Sequence, residues 1–366
     1  MHWYYLILIL PYFILLLDIF RNLLSIKQFN YTRNPLTFVS IIVACRNEQE
    51  NLPQLLRCIT KQDYPHHMFE VIIIDDNSID KTREAPGTFD GRINIVVISN
   101  PGKGKKSALK TGIAAATGEL IITTDADCTM GSGWIRTLTA FYEKNKPDMI
   151  IGPVMLNRLP GFFGRFQELE FLSLQAVTAG TAVAGNGTIC NGANLTFTRD
   201  AYNSNSQNLR FDIPTGDDVF LLHSMKRQKS NILWLESPQA IVETKATSDI
   251  DSFLSQRKRW ASKGTAYKDI YSIILGNVTF VTILSQAGLM VAGFFDHDFF
   301  KISLLFFLLK CFPDFLILLN TTTRYERKEL MKWFLPTEIV YPFYVVVVVV
   351  AVIIKDLSQR LKRPQL

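Results

Sequence analysis

Short apolar runs that end in polar residues recur through the first half of the chain. They cover Leu36–Cys45, Glu70–Ile74, Ile93–Ser99 and Leu120–Thr124. Near-continuous apolar runs of this length are typical of parallel strands that are buried on both faces. Because helical stretches separate these runs, the pattern predicts a doubly wound α/β domain with a mostly parallel sheet.

Further along the chain the pattern is less regular. Residues 158–187 are crowded with aromatic and leucine side chains and predict a helix. It is either amphipathic, against a membrane surface or acceptor-binding elements, or a buried core helix. Asn191–Thr198 is typical of a loop entering a strand, and Ile232–Leu235 of a further strand. Asp249 begins a predicted helix that continues into Gln256-Arg-Lys-Arg-Trp260.

Longer apolar stretches lie at the two ends of the chain. They cover Trp3–Leu17, Tyr271–Phe295, Phe299–Leu319 and Phe334–Ile354. The last three are each about long enough to cross a bilayer, although a single such stretch also fits a buried core helix. Four of them outside a charged middle region predict an integral membrane protein.

Charge and cysteine usage narrow the class of protein. Much of the net charge of +6 lies beside the apolar stretches, for example at Arg324–Lys332 and Lys355–Arg363. This placement fits the positive-inside bias and anionic lipid better than nucleic acid. The five cysteines form no Cys-x-x-Cys pair, so a disulfide framework and a zinc site are both disfavoured.

Two carboxylates follow the fourth apolar run, in Asp125-Ala-Asp127. Side chains at i and i+2 just past a strand can converge on one hard cation, and Mg²⁺ is usually held by one or two carboxylates plus phosphates. Taken alone, an Asp-x-Asp pair is more often a polar loop that closes a strand. An EF-hand is excluded because Met130 and Arg136 occupy the positions of its glycine and glutamate.

Polar side chains at neighbouring strand ends point to a nucleotide site. Glu48, Asp76, Asp125 and Asp127 all follow predicted strands, and ligands of such sheets bind outside the carboxyl ends. The loop at residues 102–106 does not meet the phosphate-loop pattern, and no dinucleotide fingerprint follows a strand. An ATPase and a nicotinamide enzyme are therefore disfavoured. The loop either meets phosphates or is a solvated lysine cluster.

Two later features carry candidate chemistry, each with a simpler alternative. Asp217 and Asp218 follow a turn at Pro214–Gly216 and begin a helix, where N-capping is the alternative to a catalytic role. Gln256 and Arg259 lie three residues apart on one helix face. Arg259 could reach a phosphate while Trp260 offers a flat apolar surface; the alternative is a basic collar beside the membrane.

In this order and spacing the motifs resemble those of the membrane-bound family-2 glycosyltransferases with a Gln-x-x-Arg-Trp motif. These include cellulose, chitin and hyaluronan synthases and ceramide glucosyltransferase. The resemblance implies a GT-A type nucleotide-sugar-binding sheet with flanking transmembrane helices. It implies a membrane segment at residues 1–30, a catalytic domain at 36–265, and a membrane region with two or three spans at 266–366.

The resemblance also assigns roles to individual residues. Asp127, with Asp125, would hold Mg²⁺ or Mn²⁺, and Asp218 would be the general base, although Asp217 stands where relatives have Glu. For the donor site, Asp75 is an alternative to Asp76. The implied donor-binding residues are Ala44, Glu48, Asp76, Lys105 and Asp125. The implied catalytic residues are Asp218, Gln256, Arg259 and Trp260.

The implied reaction is inverting transfer of a sugar from a nucleotide-sugar donor, a UDP-sugar, to a hydroxyl of a lipid or growing saccharide. A processive polysaccharide synthase and a sugar nucleotidyltransferase are the alternatives. The catalytic domain is expected on the cytoplasmic side of a bacterial inner membrane, with no nucleic-acid partner. Pro336, Glu338 and Pro342 are expected to interrupt the last apolar stretch, which is either a third crossing or a re-entrant or interfacial segment.

Overall fold

A computed structural model describes residues 3–31, 34–89, 91, 93–213 and 215–361 of the chain. The side chains of residues 3, 88 and 355–361 are not described. Pro214, which belongs to the predicted turn, and the part of the basic tail beyond residue 361 therefore lie outside the described residues.

The secondary structure alternates between strands and helices, as the apolar pattern predicts. The strands are β1 (Val39–Cys45), β2 (Phe69–Asp75), β3 (Asn94–Ser99), β4 (Leu120–Asp125), β5 (Thr129–Met130), β6 (Met149–Ile151), β7 (Val154–Leu156), β8 (Leu195–Thr198), β9 (Ile232–Trp234) and β10 (Val242–Thr244). The α-helices are α1 (Leu10–Ser25), α2 (Leu52–Thr60), α3 (Lys105–Ala115), α4 (Trp134–Asn145), α5 (Gly161–Val183), α6 (Arg199–Asn205), α7 (Asp217–Arg227), α8 (Ile250–Gly264), α9 (Ile270–Gly293), α10 (His297–Arg324) and α11 (Phe334–Leu361).

The larger sheet has the order β3-β2-β1-β4-β8-β6-β9 within the described residues. Neighbouring strands from β3 to β4 run parallel, β8 runs antiparallel to both β4 and β6, and β9 is parallel to β6. β2 is buried along its whole length, as expected for an apolar strand covered on both faces. The predicted α/β class with a mostly parallel sheet is confirmed.

The register of the central strands aligns their carboxyl ends. Ala44 of β1 lies opposite Asp125 of β4, and Cys45 lies opposite Asp75 of β2. The chain order reverses between β1 and β4, which is the switch point where open α/β sheets bind ligands. A smaller sheet, β5-β10-β7, brings the strand β10 beside the segment that follows Asp127.

The chain divides into two compact units, which are described separately. One contains residues 25–157 and 177–245, with both sheets. The other comprises the described parts of residues 1–24, 158–176 and 246–366, including helices α8 to α11. The catalytic domain of residues 36–265 stays a prediction, because these units are defined by packing alone.

Within the described residues, four helical stretches are long and apolar enough to cross a membrane. They are Tyr4–Ser25, Ile270–Gly293, His297–Arg324 and Lys328–Ile354, in agreement with the four apolar stretches of the sequence. The expected interruption of the last stretch is wrong, because α11 begins at Phe334 and continues through Pro342. Proline is tolerated in the first turn of a helix, and within membrane helices where neighbours satisfy the freed backbone groups.

Helix α5 resolves one alternative left open by the sequence. The residues from Phe166 to Leu172 are buried, including Gln167, Glu168 and Glu170. This continuous burial favours the core helix over an amphipathic surface helix. The polar side chains of α5 therefore require partners inside the protein.

Candidate active site

Asp125 and Asp127 lie at the carboxyl end of β4. Asp125 is the last residue of the strand, and Asp127 accepts a hydrogen bond on Oδ2 from Thr244 Oγ1 of β10 at 3.2 Å. Burial raises the pKa of Asp127, and the negative charge of Asp125 raises it further. Two carboxylates that repel each other in this way form a site suited to a cation.

Glu48 belongs to the same group of acids. It follows β1, is half-buried, and accepts a hydrogen bond on Oε2 from Asn51 Nδ2 at 2.7 Å. Burial raises the pKa of Glu48, and the charges of Asp127 and Asp125 add to that effect. The structure thus brings together three of the acidic residues that the sequence assigned to one sheet edge.

Lys105, the first residue of α3, connects these acids with a second pair. Its ammonium group forms an ion pair with the Asp125 carboxylate. Partial desolvation of the ammonium group would lower the pKa of Lys105, whose side chain is 41% exposed, but the charges of Asp125, Asp217 and Asp218 raise it well above its usual value. The first turn of α7 therefore lies within electrostatic range of Lys105.

Asp218 has a different local role from the predicted cap. The N-cap of α7 is Gly216, whose φ of 87° is the left-handed conformation that glycine adopts readily, and no side chain caps the helix. The Asp218 carboxylate instead accepts from its neighbour's amide, Val219 N, at 2.8 Å and from Gly192 N at 3.2 Å. N-capping by Asp217 or Asp218 is therefore wrong, although both acids lie in the first turn of α7, where the helix dipole favours negative charge. The two backbone donors orient the Asp218 side chain.

Asp76 is buried, and its side chain holds the loop at residues 102–106 in place. Its carboxylate accepts from Asn100 Nδ2 at 2.6 Å and from the backbone amide of Gly104 at 2.9 and 3.0 Å. Gly104 has a φ of 86°, a conformation that would strain most other residues. Asp76 thereby fixes the residue that precedes Lys105. Its contact with a nucleotide base stays a prediction.

Gln256, Arg259 and Trp260 lie on α8, in the other compact unit. The helix is capped by Asp249, which accepts from Ser252 N at 2.8 Å. Arg259 is exposed, whereas Gln256 and Trp260 are half-buried. The predicted helix and its cap are therefore found, while the roles of the three motif residues stay predictions.

The described residues contain no group of three or more His, Cys, Asp and Glu side chains arranged to hold a metal by themselves. Magnesium needs fewer protein ligands, because substrate phosphates and water complete its octahedral shell. The carboxylates of Asp125 and Asp127 are hard oxygen ligands, and their mutual repulsion favours a bound cation. The residues present therefore fit Mg²⁺ or Mn²⁺ together with a diphosphate.

Some residues beside the site carry no signal in the sequence. Lys245 Nζ contacts Asn51 Oδ1 at 2.5 Å, although the two residues are 194 positions apart. The charge of Lys245 also lowers the pKa of Glu48. Lys245 and Thr244 follow no motif, so only the folded chain reveals that they lie beside Glu48 and Asp127.

The match to a known family covers the strand ends that carry these acids. Residues 40–205 match the family model described as glycosyl transferase family 2. This region is a glycosyl transferase family 2 domain. The family 2 domain includes Ala44, Glu48, Lys105 and the Asp125–Asp127 pair, and it ends before α7 and α8 begin. The predicted family is confirmed.

Two relatives of the family 2 domain differ in the products for which they are named. A β-monoglucosyldiacylglycerol synthase of Trichormus variabilis is 31% identical over 254 residues, which cover 66% of this chain and 52% of that protein. The chain thus spans about half the length of this relative. A poly-β-1,6-N-acetyl-D-glucosamine synthase of Staphylococcus epidermidis is 23% identical over 383 residues, covering 94% of this chain and 88% of that protein.

A solved structure extends the similarity in fold beyond the family 2 domain. The mannosyltransferase of Pyrobaculum calidifontis, solved with GDP-Man and Mn²⁺, superposes with a TM-score of 0.59. The match covers 96% of this chain and 99% of that one, at 15% identity. A likeness at this identity concerns the fold alone, and it supports the predicted GT-A type.

Proposed function

We propose that this chain is a membrane-bound glycosyltransferase that moves a sugar from a UDP-sugar to a hydroxyl group of a lipid, with inversion at the sugar C1. The position of Lys105 supports this most directly. It is ion-paired with Asp125 and lies close enough to Asp217 and Asp218 for their charges to raise its pKa. Acids suited to a cation that binds a diphosphate, and a candidate base, thus lie at one sheet edge.

The donor diphosphate would lie at the carboxyl ends of β1 and β4. Asp127, with Asp125, would hold Mg²⁺ or Mn²⁺, which when bound supplies positive charge to the departing diphosphate. Lys105 would contribute a second positive charge beside Asp125. Ala44, which lies opposite Asp125 in the sheet, would allow the donor close approach to the strand end.

Asp218 would act as the general base. The acceptor oxygen attacks C1 of the sugar while Asp218 takes the hydroxyl proton. The bond between C1 and the diphosphate oxygen breaks, and the diphosphate leaves with the bonding electrons. Because Gly192 N and Val219 N already orient the Asp218 carboxylate, it needs little rearrangement to accept the proton.

The acceptor proposal relies on the membrane helices and on α8. Gln256 and Trp260 would contact the acceptor and Arg259 the diphosphate, with the family 2 domain on the cytoplasmic side. The relative named as a glycolipid synthase is 31% identical, whereas the polysaccharide synthase is 23% identical. The polysaccharide synthase aligns over 94% of this chain, so processive polymerisation is the second candidate.

The assignment of the base is tested by Asp218→Asn. We expect the turnover of sugar transfer to fall about 10²–10⁴-fold, the usual contribution of general base catalysis, with UDP binding unchanged. Exposed Asp200, on α6, provides the matched control as Asp200→Asn. Near-native turnover of Asp218→Asn at normal donor affinity would mean that another group takes the proton.

The substrates are tested by incubating membranes that contain the protein with radiolabelled UDP- and GDP-sugars. We expect label from one UDP-sugar in the lipid fraction and release of UDP. Label in a high-molecular-weight polymer would support the processive candidate instead. Release of pyrophosphate in a parallel incubation with UTP and a sugar 1-phosphate, with no transfer from the nucleotide sugars, would contradict both and indicate a nucleotidyltransferase.

A further inference from the structure

Arg257 lies inside the Gln256–Trp260 motif, next to a residue with an assigned role. The guanidinium is 4% exposed and forms a bidentate ion pair with Glu170 of α5. Nε donates to Oε1 at 2.8 Å and Nη2 donates to Oε2 at 2.5 Å. Tyr344 of α11 donates its hydroxyl to the same carboxylate at 3.2 Å. Three helices of one compact unit therefore converge on Arg257.

The same guanidinium contacts two residues of the motif. Its Cζ lies 4.2 Å from the centroid of the Trp260 ring and 4.5 Å from that of Phe253, so it is held between two aromatic side chains. Its Nη1 donates to Gln256 Oε1. Arg257 thus connects the Trp260 ring and the Gln256 side chain to a buried carboxylate.

The hydrogen bond to Gln256 determines which end of the amide remains available. A guanidinium has only donors, so it pairs with the amide oxygen and leaves the NH₂ group to donate elsewhere. The NH₂ group of Gln256 then suits a hydrogen-bond acceptor, such as a hydroxyl oxygen of the acceptor substrate. If Arg257 were absent, the Gln256 amide could turn over and present its oxygen.

We propose that Arg257, held by Glu170 and Tyr344, is a positioning residue that fixes the Gln256 amide and the Trp260 ring for sugar transfer. This inference rests on the proposed function, because it assumes that Gln256 and Trp260 contact a substrate. Arg257 itself is turned into the protein, while Arg259, two residues further on, is exposed. The motif therefore has an exposed cation and a buried cation with different tasks.

The test replaces the ion pair without leaving an unpaired buried charge. Removing one partner of such a pair is strongly destabilising, whereas exchanging both for apolar residues of similar volume is often neutral. The double variant Arg257→Met/Glu170→Leu should therefore melt close to the wild type in detergent. We expect its kcat for transfer to fall about 10²-fold, as for a catalytic group misplaced by about 1 Å.

A cycle with Gln256→Ala separates positioning from packing. If Arg257 acts through Gln256, adding Gln256→Ala to the double variant lowers kcat little further, because the two changes are not additive. Lys258→Met, at the next position of α8, is the control and should leave kcat within about twofold. Wild-type kcat in the folded double variant, or fully additive losses in the cycle, would overturn the proposal.

The outcome also distinguishes this inference from the proposed function. UDP binding by the family 2 domain should be unchanged in the Arg257 variants, since they alter the motif on α8. If Gln256→Ala and Asp218→Asn both keep wild-type transfer, the proposed catalytic assignments fail. If those two variants are impaired and the folded Arg257→Met/Glu170→Leu variant is not, only the positioning role fails.

Discussion

Lys105 is the cation around which the acids at the sheet edge are arranged. It pairs with Asp125 and is influenced by Asp217 and Asp218, while Asp127 and Glu48 remain beside Asp125. Lys105, together with Lys245 beside Glu48, therefore offsets only part of the negative charge at this edge. The remaining repulsion is a cost to the folded protein that a divalent cation and a diphosphate complex can relieve.

This repulsion predicts a gain in stability when one acid is neutralised. The pKa of Asp127 is raised in the folded protein, so its ionisation costs stability as pH rises from the usual carboxyl range through the raised pKa. In EDTA above that range, Asp127→Asn should raise the melting temperature, by about 2–4 °C per kcal/mol of repulsion removed. Mn²⁺ with UDP should then stabilise the wild type and not the variant.

The control for this experiment is Glu50→Gln, which neutralises an exposed acid two residues from Glu48. It should change neither the melting temperature nor the effect of Mn²⁺. A lower melting temperature for Asp127→Asn in EDTA would show that Asp127 contributes favourable contacts, such as the one with Thr244, that exceed the repulsion.

Which residues could be predicted from the sequence depends on how local their signal is. Asp125 and Asp127 follow an apolar run, and that pattern alone places them at a strand end. The partners of buried charges carry no such signal. Glu170 and Arg257 are 87 positions apart, and nothing in either segment indicates the pair. Asp76 is likewise predicted to bind a ligand, but its bonds to Gly104 carry no signal in the sequence.

The candidate membrane-spanning helices show the same pairing of buried charges. Lys310 of α10 is 1% exposed and contacts Asp314 Oδ2 at 2.8 Å and Glu338 Oε2 of α11 at 2.5 Å. Tyr12 of α1 donates its hydroxyl to Asp314 Oδ1 at 2.6 Å. Charged side chains inside membrane segments face the interior of a bundle and pair with one another. This cluster joins three apolar helices.

Removing the central cation should therefore destabilise the helix assembly. Lys310→Met leaves Asp314 and Glu338 buried without a positive partner, which costs about 3–5 kcal/mol in soluble proteins. We expect a large fall in the melting temperature in detergent. The triple variant Lys310→Met/Asp314→Asn/Glu338→Gln should recover most of it, because no unpaired charge remains.

Exposed Lys301, on the same helix, provides the matched control. Its contact with Asp298 is 3.7 Å long and exposed, and such ion pairs contribute little. Lys301→Met should leave the melting temperature unchanged. If Lys310→Met likewise leaves the melting temperature unchanged, the cluster does not hold the helices together.

At the level of elements, the apolar pattern predicts the long central strands and also the short strands β8 and β9, but not β5, β6, β7 or β10. β1, β2 and β4 were identified because each has six or seven residues with a clear apolar core. β5 and β10 have two and three residues, too few for a periodic pattern. The order of strands in a sheet also has no local sequence signal. The antiparallel pairing of β8 with β4 is therefore seen only in the folded chain.

For the molecule as a whole, the order of elements constrains the membrane topology. The family 2 domain lies between the first apolar helix and α9 along the chain. If that domain is cytoplasmic and each candidate span crosses once, Arg324–Lys332 is also cytoplasmic, in agreement with the positive-inside bias. The tail after α11 is then external, against that bias.

The length and hydropathy of α11 favour a full crossing of the membrane. α11 has 28 residues, about 42 Å at 1.5 Å per residue, whereas the hydrocarbon core is about 30 Å thick. Its candidate span has a mean hydropathy of 2.4, the highest of the four found among the described residues. We therefore predict that a tag fused after Leu366 is digested by protease added to the external side of intact cells or spheroplasts.

Two further tags serve as controls for the external and the cytoplasmic side. A tag at Asp296–Asp298, between α9 and α10, should be digested from the outside, and one inserted before Lys328 should be protected until the membrane is opened. Protection of the C-terminal tag together with the Lys328 tag would mean that α11 does not cross. The Pro342-containing helix would then lie in the membrane interface or return to the cytoplasmic side, and the positive-inside bias would outweigh its length.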